Sequence, residues 1–237
     1  MNRELLRYKF HKEGYCIIED VFDEEELNTA LSNSLESMSG EWWMNYYPDE
    51  ENQRGWASMD EDGAYRDKIS YVHKRSRSMG NTGESLLAYA FLRSRDETHV
   101  KYLQSLMRAK FKDIAYITDQ TVEDFNGSFL SLYERGCFLS THSDEFASPA
   151  PKLAFVLGLT PKWCSHWGGL THIESKDYLA SLAFFPPYNS LVLFRIPIWH
   201  MVSEVSECAP HGRLVMSGWL TAPSIPHNPN SFWYMPD

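Results

Sequence analysis

Cysteine is scarce in this 237-residue chain: Cys16, Cys137, Cys164 and Cys208 are the only four, and no two of them form a CxxC pair. Such scattered thiols exclude a disulfide-stapled scaffold and read as reduced side chains in a reducing compartment. Long apolar runs are missing too. Nothing is long enough to span a bilayer, and the opening stretch MNRELLRYKFHKEGY has no apolar leader. A cytoplasmic protein without a membrane partner is therefore expected. Positive charge is also in short supply, with 22 Lys and Arg against 32 Asp and Glu and a formal net charge of −10. Nucleic-acid binding needs Lys and Arg clustered over phosphates, so no nucleic-acid partner is expected. The acidic excess lies before residue 125, in runs such as Asp23-Glu24-Glu25-Glu26, and reads as solvated surface. Repeats and low-complexity tracts are absent.

What is present is enough apolar content, 43%, for one core. Residues 5–13 are expected as a short amphipathic helix ended by Gly14, and Tyr15-Cys16-Ile17-Ile18 as a strand. Asp23 is a natural N-cap for a following helix, with Glu26 as its capping-box partner and Leu27, Ala30, Leu31 and Leu35 on one face. Residues 41–82 crowd Trp42, Trp43, Tyr46, Tyr47, Trp56, Tyr65 and Tyr71 among charges, Gly and Asn, with no helical or strand period. They are expected as a long irregular segment, either a lid or an ordered loop packed down by its aromatics. The stretch from Glu84 to Asp113 reads as helical with a break at Asp96, its Val100, Leu103, Leu106 and Met107 laid on a sheet and His99 exposed. From Asn126-Gly127 onward strands are expected at 128–134, 136–142, 152–159, 168–173, 179–185, 190–196, 199–205 and 212–220. Turn signals such as Glu134-Arg135-Gly136 and Pro186-Pro187 separate them. Many short strands at close spacing point to a sandwich or barrel. The proline-rich tail from Pro223 is expected as an extended segment.

Within the strand-rich half, His142-Ser143-Asp144 follows an apolar run, and His200 lies inside SLVLFRIPIWHMV. Residues two apart on a strand point the same way, so His142 and Asp144 can face one cavity. Two histidines and a carboxylate on one face of a metal ion leave its other positions open, the arrangement of non-heme iron(II) sites. Arg213 opens RLVMSGWL, an otherwise apolar strand where an unpaired charge would be costly. A rival grouping, Cys164, His166 and His172, offers three zinc-type ligands but straddles the Trp167-Gly168-Gly169 turn.

Three stretches, YERGCFLSTHSD, LAFVLGLTPKWCSHWGGL and NSLVLFRIPIWHMVSEVSECAPHGRLVMSGWL, resemble the iron(II)- and 2-oxoglutarate-dependent dioxygenases, specifically their prolyl-4-hydroxylase-like branch. The resemblance covers roughly the last 100 residues well and the first 120 loosely. It implies an α+β protein with a mainly β core: a double-stranded β-helix, or jelly-roll, with supporting N-terminal helices. The expected layout of the single oxygenase domain, residues 1–237, is helical support and an aromatic loop over 1–125, the jelly-roll core over 126–222, and the tail over 223–237.

The resemblance also implies Fe(II), 2-oxoglutarate and O2 as cofactors and cosubstrates, with His142, Asp144 and His200 as metal ligands and no catalytic residue beyond them. Arg213 would anchor the distal carboxylate of 2-oxoglutarate through a bidentate guanidinium. Tyr133 would line the same pocket. The chain departs from the family's pattern at Gly158, where a Tyr is common, and at Val215, where a Ser is common, with Ser217 shifted nearby. Gly158 implies a roomier pocket. Asp144 argues against halogenation, which needs Gly or Ala at that position, and Trp219 stands where nucleic-acid demethylases carry a second Arg. The expected activity is hydroxylation of an unactivated C–H in an amino-acid, peptidyl or natural-product substrate, with Trp56 and Tyr47 touching that substrate. A cupin-like metal enzyme and a non-catalytic jelly-roll binding module are the alternatives.

Overall fold

Gly14, at φ +84°, ends helix α1 (Arg3–Glu13) in the left-handed conformation a glycine adopts freely, and its N–H bonds the Phe10 carbonyl. The chain turns there into strand β1 (Tyr15–Ile18). The computed structural model describes residues 2–59, 65–82, 87–144, 153–174 and 181–221. The expected tail from Pro223 lies outside the described residues. Helix α2 (Glu24–Ser37) starts where expected: the Asp23 carboxylate accepts from the N–H groups of Glu25 and Glu26.

Two expectations fail in the next hundred residues. The aromatic segment is not an irregular loop but a hairpin, β2 (Trp43–Tyr47) and β3 (Gly55–Ser58), followed by helix α3 (Tyr65–Thr82). Four of the five β2 residues are buried, which erases the alternation that marks a half-buried strand. Asp49 builds the hairpin loop, accepting from the N–H groups of Glu51 and Gln53. The expected helix from Glu84 is likewise corrected, because Tyr89–Arg93 is strand β4. Ala88, Tyr89, Ala90, Phe91 and Leu92 are each at most 2% exposed. A run buried on both faces carries neither period, so length and neighbours decide. Helix resumes only after Asp96, which caps a 3-10 turn, and continues as α4 (Lys101–Arg108) and α5 (Phe111–Thr118). His99 is half-buried there rather than exposed.

The remaining strands fall close to expectation: β5 (Asp124–Tyr133), β6 (Phe138–His142), β7 (Leu153–Gly158), β8 (Thr171–Glu174), β9 (Ser181–Phe184), β10 (Leu191–Arg195), β11 (His200–Val202) and β12 (Arg213–Thr221). Their hydrogen-bonded order is β1-β10-β7-β12-β5-β4-β6-β11-β8-β9, with β2 and β3 added on β4. The pairings are antiparallel, and the sheet folds over to form two facing layers, β10-β7-β12-β5 and β6-β11-β8-β9, as in the expected jelly-roll. Strand β4 bridges them through β5 and β6.

Alternation along the first layer divides the core. Leu153, Phe155 and Leu157 of β7, with Leu191 and Leu193 of β10, face outward and pack under Phe10, Leu27, Leu103, Met107 and Ile114 of the helices. Ala154 and Val156, with Val192, Phe194 and Val215, face inward against Leu139, Ile173 and Val202 of the second layer. Each of these Val, Leu, Ile, Phe and Met side chains, fully buried, contributes about 1.5–3 kcal/mol. The helical layer thus stiffens one wall of the fold and leaves its interior to the functional side chains.

Candidate metal centre

His142 ends β6, His200 opens β11, and the register sets the two directly opposite each other, with ring centroids 4.1 Å apart. The Nδ1 of each ring lies near a main-chain carbonyl two residues back: Ser140 at 2.9 Å for His142, and Ile198 at 3.0 Å for His200. A carbonyl only accepts, so in both rings Nδ1 carries the proton and Nε2 offers its lone pair. The two Nε2 atoms face Asp144, just past the end of β6, at 3.5 Å from Oδ1 and 3.7 Å from Oδ2. The ligand atoms of all three residues lie within 4.8 Å of one another, and all three residues are buried.

Protonation suits a divalent cation. Burial, reinforced by the neighbouring His142, pushes His200 down to about 4, so its imidazole is neutral near pH 7. Burial works against ionisation of Asp144. The two histidines and a hydrogen bond from Trp219 outweigh it and hold the carboxyl down to about 2. A neutral imidazole at His200 and a carboxylate at Asp144 can ligate metal without first releasing a proton. The indole Nε1 of Trp219 donates to Asp144 Oδ2 at 2.9 Å, so Oδ1 is the oxygen left freer for an ion. The donor set fits iron(II), and three ligands on one side leave room for further ones.

Arg213 enters the same cavity from the opposite layer. Its guanidinium carbon lies 5.2 Å from the ring centroid of Tyr133, its register partner on β5. The residue is 1% exposed, and Nη2 donates to Thr171 Oγ1 at 2.8 Å. Nε and Nη1 are buried without a hydrogen-bond partner among the described residues. Burial lowers the guanidinium to about 10, leaving it charged at neutral pH. A buried cation with two unpaired donors in a fork is costly on its own and matches a planar carboxylate. This fits the distal end of 2-oxoglutarate. Burial raises the Tyr133 hydroxyl well above its usual range, so it stays protonated and able to donate. Phe91, Phe129, Val156 and Phe194 supply apolar wall to the cavity that His142, Asp144, His200 and Arg213 also line.

The expected roomier pocket at Gly158 is not found. A Cβ there would meet the Pro187 carbonyl oxygen at 2.0 Å and the Pro186 carbonyl oxygen at 2.6 Å, so the space is taken by backbone. Gly158 is small because the loop crosses it closely. At Gly168, φ +68°, a Cβ would meet the Glu204 carbonyl oxygen at 2.0 Å. This close approach lets the Trp167-Gly168-Gly169 turn lie against the segment around Val205, with which Gly168 forms an isolated antiparallel bridge, beside the Arg213 stem. Val215 and Ser217 both line the cavity, as alternation from Arg213 requires. The same alternation leads to Trp219, whose bond to Asp144 sequence reasoning did not foresee. Thr171 was also missed; its signal was its place just after the Gly168-Gly169 turn.

Tyr47 and Trp56, the expected substrate contacts, are not among the residues lining the cavity. Tyr47 is buried and stacks on Tyr89 at 5.9 Å, and Trp56 is half-buried beside the guanidinium groups of Arg93 and Arg95. Of the rival trio, Cys164 and His166 sit at the turn before β8, and His172 bonds Ser181 at 3.1 Å. Among the described residues the only grouping able to hold a metal is His142, Asp144 and His200.

Residues 128–221 match the family described as the 2OG-Fe(II) oxygenase superfamily. Among curated proteins, the chain is 31% identical over 151 residues to the mouse prolyl 3-hydroxylase OGFOD1, covering 60% of this chain and 27% of that protein. The chain thus spans about a quarter of the length of that relative. Among solved structures, a Pseudomonas putida prolyl-4-hydroxylase superposes with a TM-score of 0.58 at 16% identity, covering 92% of this chain and 97% of the other. A Trichoplax adhaerens prolyl hydroxylase, solved with a peptide fragment of the hypoxia inducible factor oxygen degradation domain, gives 0.57 at 15% identity, covering 92% and 88%. At these identities the structural likeness speaks for the fold.

Proposed function

We propose, from the match of residues 128–221 to the 2OG-Fe(II) oxygenase superfamily, that the whole chain acts as one iron(II)- and 2-oxoglutarate-dependent hydroxylase of peptidyl substrates. The observation that carries the reading is one buried cavity holding both His142, Asp144 and His200 and the half-unpaired Arg213 fork. A cupin-like metal site or a binding module has no use for that buried arginine. The names of the mouse relative and of the Trichoplax complex support a prolyl residue in a peptide as the target. No helix among the described residues is long and apolar enough to cross a membrane, and we propose a reducing, cytoplasmic setting for the buried thiols of Cys16 and Cys137.

Bound iron would supply the redox chemistry by which O2 and 2-oxoglutarate yield succinate, carbon dioxide and a hydroxylated carbon. The chain's own residues do the positioning. His142, Asp144 and His200 hold the ion on one side, and their main-chain carbonyl partners fix both imidazole tautomers. Trp219 steadies the carboxylate. Arg213, oriented by Thr171, would take the distal carboxylate of 2-oxoglutarate, with the Tyr133 hydroxyl as a further donor. The apolar wall of Phe91, Phe129 and Phe194 keeps water from the reacting centre, so unproductive oxidation is limited.

The test is anaerobic loading with iron(II) and 2-oxoglutarate, then oxygen and a panel of proline-containing peptides. Succinate should form in step with a gain of one oxygen atom on a peptide proline. An iron-loaded protein that neither binds nor consumes 2-oxoglutarate would overturn the reading.

A further inference from the structure

The β2–β3 hairpin continues one wall of the cavity outward. Paired residues of antiparallel strands point to the same face, and the registers give a row, Trp56 to Asn45 to Phe91, across β3, β2 and β4. Phe91 lines the cavity and stacks on Tyr133 at 5.0 Å, so the row ends at the proposed cosubstrate pocket. The next row runs from Trp43 to Arg93 to Ser131, and Ser131 also lines the cavity. The Arg93 guanidinium lies 3.7 Å from the centroid of Phe129, another cavity residue, and 5.5 Å from that of Trp56. Further out, exposed Arg95 lies 4.7 Å from the ring centroid of Trp43 and 5.6 Å from that of Trp56. An arginine–tryptophan rim therefore leads from solvent to the mouth of the site.

Its charge is out of keeping with the chain. The molecule carries a net charge of −10, and Arg3, Arg7 and Arg108 pair with Asp113, Asp119 and Asp124. Arg95 has no ion pair among the described residues and lies against two indoles instead. Stacking covers the face of a guanidinium and leaves its in-plane N–H fork free, the geometry that receives a carboxylate bidentately. Beneath the rim, the Asn45 side chain is 0% exposed, and neither its amide nitrogen nor its oxygen has a partner among the described residues.

We propose that this rim of Trp43, Trp56, Arg93 and Arg95 docks an acidic segment of the peptide substrate, beside the residue to be hydroxylated. This rests on the peptidyl reading above and narrows it. A flexible acidic flank would lay a carboxylate on the exposed Arg95 fork and its main chain across the indoles. The flat, half-buried ring faces give contact area at little entropic cost.

The experiment uses two fluorescein-labelled peptides with one central proline, flanked by Asp and Glu in one and by Asn and Gln in the other. Anisotropy at low ionic strength reports binding, and 2-oxoglutarate decay without peptide reports oxygenase chemistry separately. The acidic peptide should bind roughly fivefold tighter, the preference should fade as salt is added, and Arg95→Glu should abolish it. Arg95→Lys should keep part of it, and both variants should retain the wild-type rate of peptide-free decay. Equal binding of the two peptides, or an Arg95→Glu variant that keeps the preference, would overturn the rim. A mixed-sequence single-stranded RNA that binds more tightly than the acidic peptide would overturn it as well. Absent decay with the acidic preference intact would refute the oxygenase reading and leave the rim standing.

Discussion

Replacing Arg213 with methionine separates a ligand-binding arginine from a structural one. The guanidinium is 1% exposed and bonded to Thr171, with Nε and Nη1 unpaired among the described residues. A buried unsatisfied donor costs about 1–3 kcal/mol, and apolar replacements for poorly paired buried charges are often neutral or stabilising. The Arg213→Met chain should therefore melt no lower than wild type. Cosubstrate affinity should fall steeply. Removing one partner of a buried, hydrogen-bonded charge pair costs about 2–5 kcal/mol, roughly 30- to 4,000-fold in Kd. Anaerobic calorimetry of 2-oxoglutarate into iron-loaded protein measures that loss directly. Thermal melts give an independent reading. At 100 times its Kd, 2-oxoglutarate stabilises wild type by about 2.7 kcal/mol, a rise of roughly 5–11 °C for a chain of this size, and the variant should show none at the same concentration. Equal affinity in the two proteins would refute the anchor. So would a variant that melts far lower yet binds 2-oxoglutarate normally, since Arg213 would then be holding the fold.

Three further outcomes follow from the geometry. Trp219→Phe keeps the ring but removes the donor to Asp144 Oδ2, and should weaken iron binding roughly 10–100-fold by competition with a fluorescent chelator, while the fold's circular dichroism is unchanged. Gly158→Ala drives a Cβ into the Pro186 and Pro187 carbonyls, which cannot retreat while the Ser190 carbonyl accepts from Gly158 N–H and Asn189 N–H bonds the Gly158 carbonyl; the cost should be about 1–3 kcal/mol, read as a melting point lower by roughly 2–12 °C. Burial pushes the Cys16 thiol up to about 12, and Cys137 is raised too, whereas Cys164 and Cys208 are exposed. Because a raised pKa keeps a thiol protonated until the pH approaches it, Ellman's reagent at pH 8 should modify two thiols quickly and all four only in denaturant.

The second half of the chain was largely legible because its chemistry and its periodicity agree. Strands β5 to β12 are bounded by glycine and proline turns, and HxD, the later histidine and the apolar-strand arginine each broke a local rule that only a site explains. The first half misled where burial is two-sided. Strand β4 was taken for helix because Ala88 to Leu92 are buried on both faces, between β5, β6 and β2, so neither period survives. The β2–β3 hairpin hid for the same reason, and its aromatics read as a loop although they form the outward continuation of a wall. Gly158 misled in another way. A missing side chain suggested space, but space depends on which backbone crosses above it, and the Pro186-Pro187 crossing is a tertiary fact. Thr171 and Trp219 act through partners far away in sequence, Arg213 and Asp144, so strand alternation and the turn could mark their positions but not the bonds they make.

The central claim is that His142, Asp144 and His200 hold one iron on which 2-oxoglutarate binds, with Arg213 as its far anchor. Anaerobic titration of iron(II) and then 2-oxoglutarate, followed by the visible charge-transfer absorption of the chelated cosubstrate, tests it most directly. Wild type should take up one iron per chain and develop the band with 2-oxoglutarate. His142→Ala and His200→Ala should lose the iron and the band together, and Arg213→Met should keep the iron but need far more 2-oxoglutarate. Full iron occupancy and an undiminished band in both histidine variants would contradict the account.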